Sequence, residues 1–153
     1  CPGGRGSAHP AGAPAELLLT TDSMTAAIAR HTGRPVHVRW RAGPGRAPAA
    51  LDPSRPAGWL RHATLYAGRD PVLVACSWFP RDRGRVGERL ARSHGPLGAR
   101  LFEEHRFHHG PLELRRAPGG WLRRRRHRVH VGGATGTLAF VVVERLLATL
   151  DRY

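Results

Sequence analysis

Alternating or continuous hydrophobic residues mark five stretches of the chain, and such stretches are typical of β-strands. They are residues 35–41, 59–66, 72–79, 121–131 and 138–147, and a shorter strand-like segment surrounds Leu112 and Leu114. Turn-forming residues connect the second and third stretches, which predicts a hairpin. The three strands in succession after residue 107 predict an antiparallel meander.

Between residues 21 and 33 the apolar residues recur at helical spacing instead. Asp22 or Ser23 can cap the N-terminus of this helix, because short polar side chains accept hydrogen bonds from the first free N–H groups. Gly33 can end the helix, since glycine readily adopts the left-handed conformation found there. The segment therefore predicts one short helix.

Residues 84–93 also have helical spacing, and a further helical turn is predicted over residues 95–102. Residues 1–15 contain almost no large apolar side chain, so we expect a mobile tail. The remaining residues 16–153 predict a single α+β domain, an antiparallel sheet with helices packed against it.

The composition gives a large positive charge, and this charge has two possible explanations. The 153 residues, 41% of them hydrophobic, suit one domain with a real core. The 25 basic and 11 acidic residues give a formal charge of +14, which first suggests a nucleic-acid partner. However, every basic residue is Arg, and Lys, Asn and Gln are absent. This pattern is typical of GC-rich codon usage, so the net charge carries little functional weight.

The two cysteines, Cys1 and Cys76, lie in the predicted tail and in an apolar stretch, which argues against a disulfide framework. We therefore expect a reducing, cytoplasmic setting. The longest uninterrupted apolar run covers only residues 138–143, whereas a membrane-spanning helix needs roughly 20. No membrane partner is expected.

Glu144 follows a run of Val residues and precedes Arg145. Neighbouring side chains on a strand point to opposite faces, so only one of the two can face inward. If Arg145 reaches solvent, burial raises the pKa of Glu144, and its carboxylate needs a partner or a ligand. The alternative is that the strand ends here and Glu144 is a surface residue.

Arg61 presents the same question with the opposite charge, since it shares a strand face with Trp59 and Leu65. A buried guanidinium requires a carboxylate from the protein or from a ligand. Two alternatives remain open. Arg61 could form an internal salt bridge with Glu144, or it could lie on an edge strand with its head group in solvent.

The basic run at residues 123–128 could bind phosphate groups. On a strand, however, its members divide between two faces, with Arg124, Arg126 and Arg128 on one of them. This division breaks up a continuous basic groove, and a solvated face is the favoured interpretation.

Metal and nucleophile chemistry find little support in the sequence. His105, His108 and His109 have a spacing that some metal ligands use, but no Cys cluster or carboxylate completes a tetrahedral set. Cys76 lies inside an apolar stretch, where a thiol usually serves only packing. We expect no metal and no other cofactor.

Five short motifs, taken together and in this order, resemble the bacterial chorismate lyases. They are Leu17-Leu-Leu-Thr-Thr-Asp-Ser-Met-Thr25, Trp59-Leu-Arg-His62, Pro71-Val-Leu-Val-Ala-Cys-Ser-Trp-Phe-Pro80, Gly95-Pro-Leu-Gly98 and Val143-Glu-Arg-Leu146. The resemblance covers about residues 16 to 147. It implies an α+β domain with an enclosed ligand pocket, and a cofactor-free lyase that eliminates pyruvate from chorismate to give 4-hydroxybenzoate or a closely related hydroxybenzoate.

The resemblance also implies roles for individual residues. Arg61 would bind the ring carboxylate, assisted by the backbone N–H groups of Met24 and Leu97. Ala75 would line the pocket through its backbone. Glu144 would hydrogen-bond the ring hydroxyl and take part in proton transfer.

The chain departs from the family pattern in its N-terminal tail, at Val143, where the family has a Thr, and at Cys76. Cys76 stands where these lyases have an Arg that could meet the enolpyruvyl carboxylate. Arg124, Arg126 and Arg128 are the candidates to replace that Arg.

The resulting expectation is a monomeric enzyme whose partner is the small molecule chorismate. A first alternative is a non-catalytic domain on the same fold that binds a small carboxylate effector, although no winged-helix segment is visible beside it. A second is a basic nucleic-acid-binding protein, which predicts strongly salt-dependent affinity for DNA or RNA.

Overall fold

The computed structural model describes residues 15–20, 23–47, 54, 56–81, 85–98, 107–117, 120–130 and 137–153. Its main element is one six-stranded sheet in the order β1-β2-β3-β6-β5-β4, with antiparallel pairing throughout. The strands are β1 Val36–Arg46, β2 Ala57–Ala67, β3 Asp70–Pro80, β4 Phe107–Ala117, β5 Gly120–His130 and β6 Thr137–Leu147. The architecture is a single α+β domain, as the hydrophobic pattern predicts.

The predicted hairpin and meander are confirmed as β2–β3 and β4–β5–β6. Strand β1 is longer than predicted, because it continues beyond residue 41 through Pro44 to Arg46. Pro44 has no N–H group to donate to a neighbouring strand, and such a residue is tolerated here because β1 lies at the edge of the sheet.

Helix α2, Met24–Thr32, is the predicted short helix with its predicted caps. The Ser23 side chain accepts a hydrogen bond from the Ala26 N–H, and Gly33 adopts the left-handed conformation with φ at 64°. In this conformation the Gly33 N–H bonds to the Ala29 carbonyl, which satisfies an otherwise free acceptor at the helix end. The alternative cap, Asp22, lies outside the described residues.

The helices cover one face of the sheet, which we call the inner face. At one end, α1 (Ala15–Leu19), α2 and a 3₁₀ helix (Ala148–Arg152) form a core with the sheet. This first core includes Leu17, Ile28, Leu73, Leu146 and Leu150. At the other end, α3 (Val86–Ala91) packs on β2 and β3. This second core includes Phe79, Leu90, Leu138 and Phe140.

Two predicted segments extend beyond the described residues. Residues 1–14 of the predicted tail lie outside them, as do the later residues of the helical turn expected over residues 95–102. No helix within the described ranges is long and apolar enough to cross a membrane.

Candidate functional site

Two rows of inner-face residues cross the sheet between the two hydrophobic cores. Strand pairing aligns one residue from each of β2, β3, β6 and β5 in each row. The first row is Arg61, Ser77, Val142 and Arg125, and the second is Ala63, Ala75, Glu144 and Arg123. In the first row the charged side chains stand at the two ends, whereas in the second row Glu144 and Arg123 are neighbours and two Ala residues complete the row.

A cavity of about 120 Å³ lies over these rows. A water molecule needs on the order of 10–15 Å³ of such space, so the cavity has room for a small ring compound. Ala63, Ala75 and Ser77 form its floor, and their short side chains leave the space unfilled. The start of α2 and residues 96–98 lie on the opposite side.

Arg61 is the most deeply buried charge at this cavity, with 1% of its surface exposed. Its Nη1 donates to the carbonyls of Ala91 at 3.0 Å and Ser93 at 2.5 Å, and its Nη2 donates to the carbonyl of Gly95 at 2.6 Å. The guanidinium carbon also lies 4.5 Å from the Trp40 ring centroid, a cation–π contact. Arg61 thus holds the segment that follows α3 against the sheet.

Among the described residues, no carboxylate pairs with Arg61. None of the ion pairs between described residues involves it. Burial lowers the pKa of Arg61 to about 10. Its Nε–H is buried without a hydrogen-bond partner in the described part of the chain, although a guanidinium offers five N–H donors. A buried cation with unused donors is the environment that an anionic ligand would complete.

Glu144 faces the same cavity, and the exposed Arg145 points to the other face of the sheet. This is the orientation that strand alternation predicts. The Glu144 Oε2 accepts a hydrogen bond from Arg123 Nη1 at 3.1 Å. Burial raises the pKa of Glu144, and the positive charges of Arg123 and Arg125 oppose this rise.

Arg123 is held on three sides and is itself buried. Besides Glu144, it donates to the carbonyl of Thr20 at 2.8 Å and contacts the Met24 sulfur at 3.7 Å. The expected alternative of an Arg61–Glu144 salt bridge is wrong, because Arg123 takes the carboxylate and backbone carbonyls take Arg61.

The candidates for a second carboxylate contact require a correction. Arg124, Arg126 and Arg128 lie on the outer face, where Arg126 and Arg128 are exposed and Arg124 lies 3.8 Å from Glu113. The residues of β5 that line the cavity are those of the opposite phase, namely Arg123, Arg125 and His127. In the basic run at residues 123–128, the residues that face inward and those that face outward are both rich in Arg. Hydrophobicity therefore does not show which set faces inward. Trp121 could have identified the inward-facing residues of β5 from the sequence. It lies on the same face of the strand as Arg123, and it packs against the first core.

Three further residues were predicted to contact the substrate. Met24, Ala75 and Leu97 all line the cavity. Cys76 does not, because it packs on the outer face beside Trp78, and burial raises the pKa of its thiol. Within the described ranges, no group of three or more His, Cys, Asp or Glu residues is placed to hold a metal ion.

Comparisons with known proteins add no relative to this description. No protein-family model matches the chain, and no curated protein matches it significantly.

Proposed function

We propose that this chain is a chorismate lyase-like enzyme, with the chorismate lyase-like fold, that eliminates pyruvate from chorismate to give 4-hydroxybenzoate or a closely related hydroxybenzoate. The inner-face cavity is its proposed substrate pocket, and chorismate is its proposed partner. No cofactor takes part in the proposed reaction.

The observation that carries this proposal is the buried Arg61 with no carboxylate partner among the described residues, facing the same cavity as Glu144. The described residues that line the cavity include three Arg and one Glu, a formal excess of two positive charges. Chorismate carries two carboxylates, so its charge would balance that excess. The cavity size and apolar walls also favour a single ring.

The proposed reaction needs only positioned charges and a proton acceptor. The C–H bond at the hydroxyl-bearing ring carbon breaks, and its electron pair completes the aromatic ring. The C–O bond on the adjacent carbon breaks, and its electron pair leaves with the enolpyruvyl oxygen. A proton then converts enolpyruvate into pyruvate, so atoms and electrons balance without an oxidant.

Each proposed role follows from a local property. Arg61 binds the ring carboxylate through the donors that its carbonyl partners leave unused. The backbone N–H groups of Met24, at the start of α2, and of Leu97 assist it. Glu144 hydrogen-bonds the ring hydroxyl and accepts the ring proton, and its raised pKa makes its carboxylate a stronger base. Arg123 positions Glu144.

The direct test mixes the purified protein with chorismate and follows pyruvate and 4-hydroxybenzoate together. We expect both products in equal amounts, above the spontaneous rate. If chorismate binds without turnover, the lyase proposal is overturned and a carboxylate-binding domain takes its place. If it neither binds nor reacts, the site assignment also fails.

Two variants test the named residues. Arg61→Ala and Glu144→Ala should each lower kcat/KM by on the order of 10²-fold or more, as the loss of a charged clamp or an acid/base group does. Arg145→Ala is the matched control, since Arg145 adjoins Glu144 but faces away from the cavity. Circular dichroism checks the fold of each variant. Unchanged rates in the first two would reject their roles.

A further inference from the structure

We propose that the Ser77 hydroxyl donates a hydrogen bond to an oxygen on the ring carbon next to the hydroxyl-bearing carbon of the substrate. In chorismate this oxygen is the one that carries the enolpyruvyl group. The inference rests on the proposed function and narrows its substrate class to ring carboxylates with oxygen on both of these carbons. It makes Ser77 a specificity-determining and catalytic residue.

Ser77 is a buried polar residue in the floor of the cavity. It lies on β3 with 3% of its surface exposed, and it lines the cavity. Within the described part of the chain, no side-chain hydrogen bond involves Ser77. Burying a hydroxyl costs free energy unless it is hydrogen-bonded, so Ser77 offers a donor to a ligand in the cavity.

The positions of Arg61 and Glu144 define how a ring would lie over this floor. Arg61 on β2 is the cross-strand partner of Ser77, whereas Glu144 on β6 is the partner of Ala75. The Cα atoms of Arg61 and Glu144 are two strand spacings and two residues apart, or about 12 Å. A ring that joins Arg61 through its carboxylate to Glu144 through its hydroxyl therefore crosses β3 between Ser77 and Ala75.

The two sides of this diagonal differ in chemistry. Ser77 and Val142 lie on one side, and Ala63 and Ala75 lie on the other. Of these four side chains, that of Ser77 alone carries a hydrogen-bond donor. An oxygen on the ring carbon beside the hydroxyl-bearing carbon projects to one side of the ring axis. The side that contains Ser77 provides this oxygen with a partner, which fixes the orientation of the ring.

The same contact assists the proposed elimination. As the C–O bond on the ring breaks, its electron pair moves onto the enolpyruvyl oxygen, which becomes more negative. A hydrogen bond donated to this oxygen is then stronger in the transition state than in the bound substrate, and such a difference lowers the barrier. Ser77 keeps its own proton, so the balance of atoms and electrons in the elimination is unchanged.

Two ring ligands test the contact without any turnover. 3,4-Dihydroxybenzoate carries the second oxygen, and 4-hydroxybenzoate lacks it. Titration calorimetry measures both Kd values for the unmodified protein, for Ser77→Ala and for Thr64→Val, a matched control that removes a hydroxyl from the outer face of β2. A neutral hydrogen bond is worth about 3- to 10-fold in affinity. We expect Ser77→Ala to raise the Kd of 3,4-dihydroxybenzoate by this factor and that of 4-hydroxybenzoate by less than about twofold, and Thr64→Val to change neither.

Two results would overturn the inference. One is a 3,4-dihydroxybenzoate Kd unchanged by Ser77→Ala, and the other is an equal loss of affinity for both ligands, which would indicate a structural role. Should Ser77→Ala fail to fold, Ser77→Cys keeps a side chain of similar size with a much weaker donor and must then show the same selective loss.

Turnover of chorismate separates this inference from the lyase proposal. If the protein is a lyase, Ser77→Ala should lower chorismate kcat/KM at least about tenfold. A selective loss of 3,4-dihydroxybenzoate affinity in a protein without lyase activity supports the Ser77 contact while the lyase proposal fails. Lyase activity that Ser77→Ala leaves intact supports the enzyme and rejects the contact. If the unmodified protein binds neither ligand, the inference fails.

Discussion

At the residue scale, Arg61 serves two purposes, one structural and one in the proposed site. It holds the carbonyls of Ala91, Ser93 and Gly95, and it lines the cavity with a buried Nε–H that has no hydrogen-bond partner among the described residues. Gly95 has a φ of 77°, a left-handed conformation that glycine tolerates. This conformation belongs to the segment whose carbonyls turn toward the guanidinium.

We predict that Arg61→Lys keeps the charge but loses both functions in part, because an ammonium cannot reach three carbonyls and a ligand at once. The variant should unfold at lower denaturant concentration, by about 1.5–3 kcal/mol for a lost charged hydrogen bond. Its affinity for 4-hydroxybenzoate should fall as well. Urea titration and calorimetry measure the two effects, and an unchanged unfolding midpoint would contradict the bracing role.

Glu144 provides a prediction on pH. Its pKa in the folded protein lies above the ordinary Glu value of 4.5, so the folded state holds the proton more tightly than the unfolded state. The resulting stabilisation is complete below the ordinary value and is lost as the pH rises through the raised pKa. Each unit of difference corresponds to about 1.4 kcal/mol.

We therefore expect unmodified protein to lose stability relative to Glu144→Gln over that pH window, since Gln does not titrate. Urea unfolding of both proteins at several pH values gives the difference. If the unmodified protein instead gains stability relative to Glu144→Gln as the pH rises, the attraction of Arg123 lowers the pKa of Glu144 by more than burial raises it.

At the element scale, local patterns predicted most strands, because alternation and turn residues act between neighbours in sequence. They did not predict the order of strands, in which β6 pairs with β3 across about 70 residues of chain. The phase of β5 was also missed, since Arg123 and Arg124 are chemically alike and only the partner strands distinguish them. The inward orientation of Arg61 and Glu144 could be predicted, but their bonding partners could not, as these come from distant segments.

The floor of the cavity gives a prediction at the same scale. Ala63 and Ala75 are cross-strand partners. Ala63→Leu should fill existing space, keep or raise the melting temperature, and weaken 4-hydroxybenzoate binding at least about tenfold. Val74→Leu on the exposed outer face is the control and should leave binding unchanged. Full affinity in Ala63→Leu would mean that the ligand lies elsewhere.

At the scale of the whole molecule, the charge of +14 matters through its long-range field. A dianion is attracted over roughly 10 Å at moderate salt, and added salt shortens this range. We predict that chorismate kcat/KM falls several-fold between about 20 and 300 mM salt, with kcat nearly constant. A flat profile would show that charge does not assist substrate entry. Tight, salt-sensitive binding of DNA or RNA at physiological salt would instead favour the nucleic-acid alternative.

The central place of β6 has a consequence for how the protein is made. Of the six strands it is synthesised last, yet it lies between β3 and β5 and carries Glu144. Until it leaves the ribosome, β3 and β5 each present an open edge that can pair with other chains. Folding must also wait for contacts between distant segments, which slows it. A nascent chain therefore cannot assemble the site early, and this last strand is where premature termination would favour aggregation.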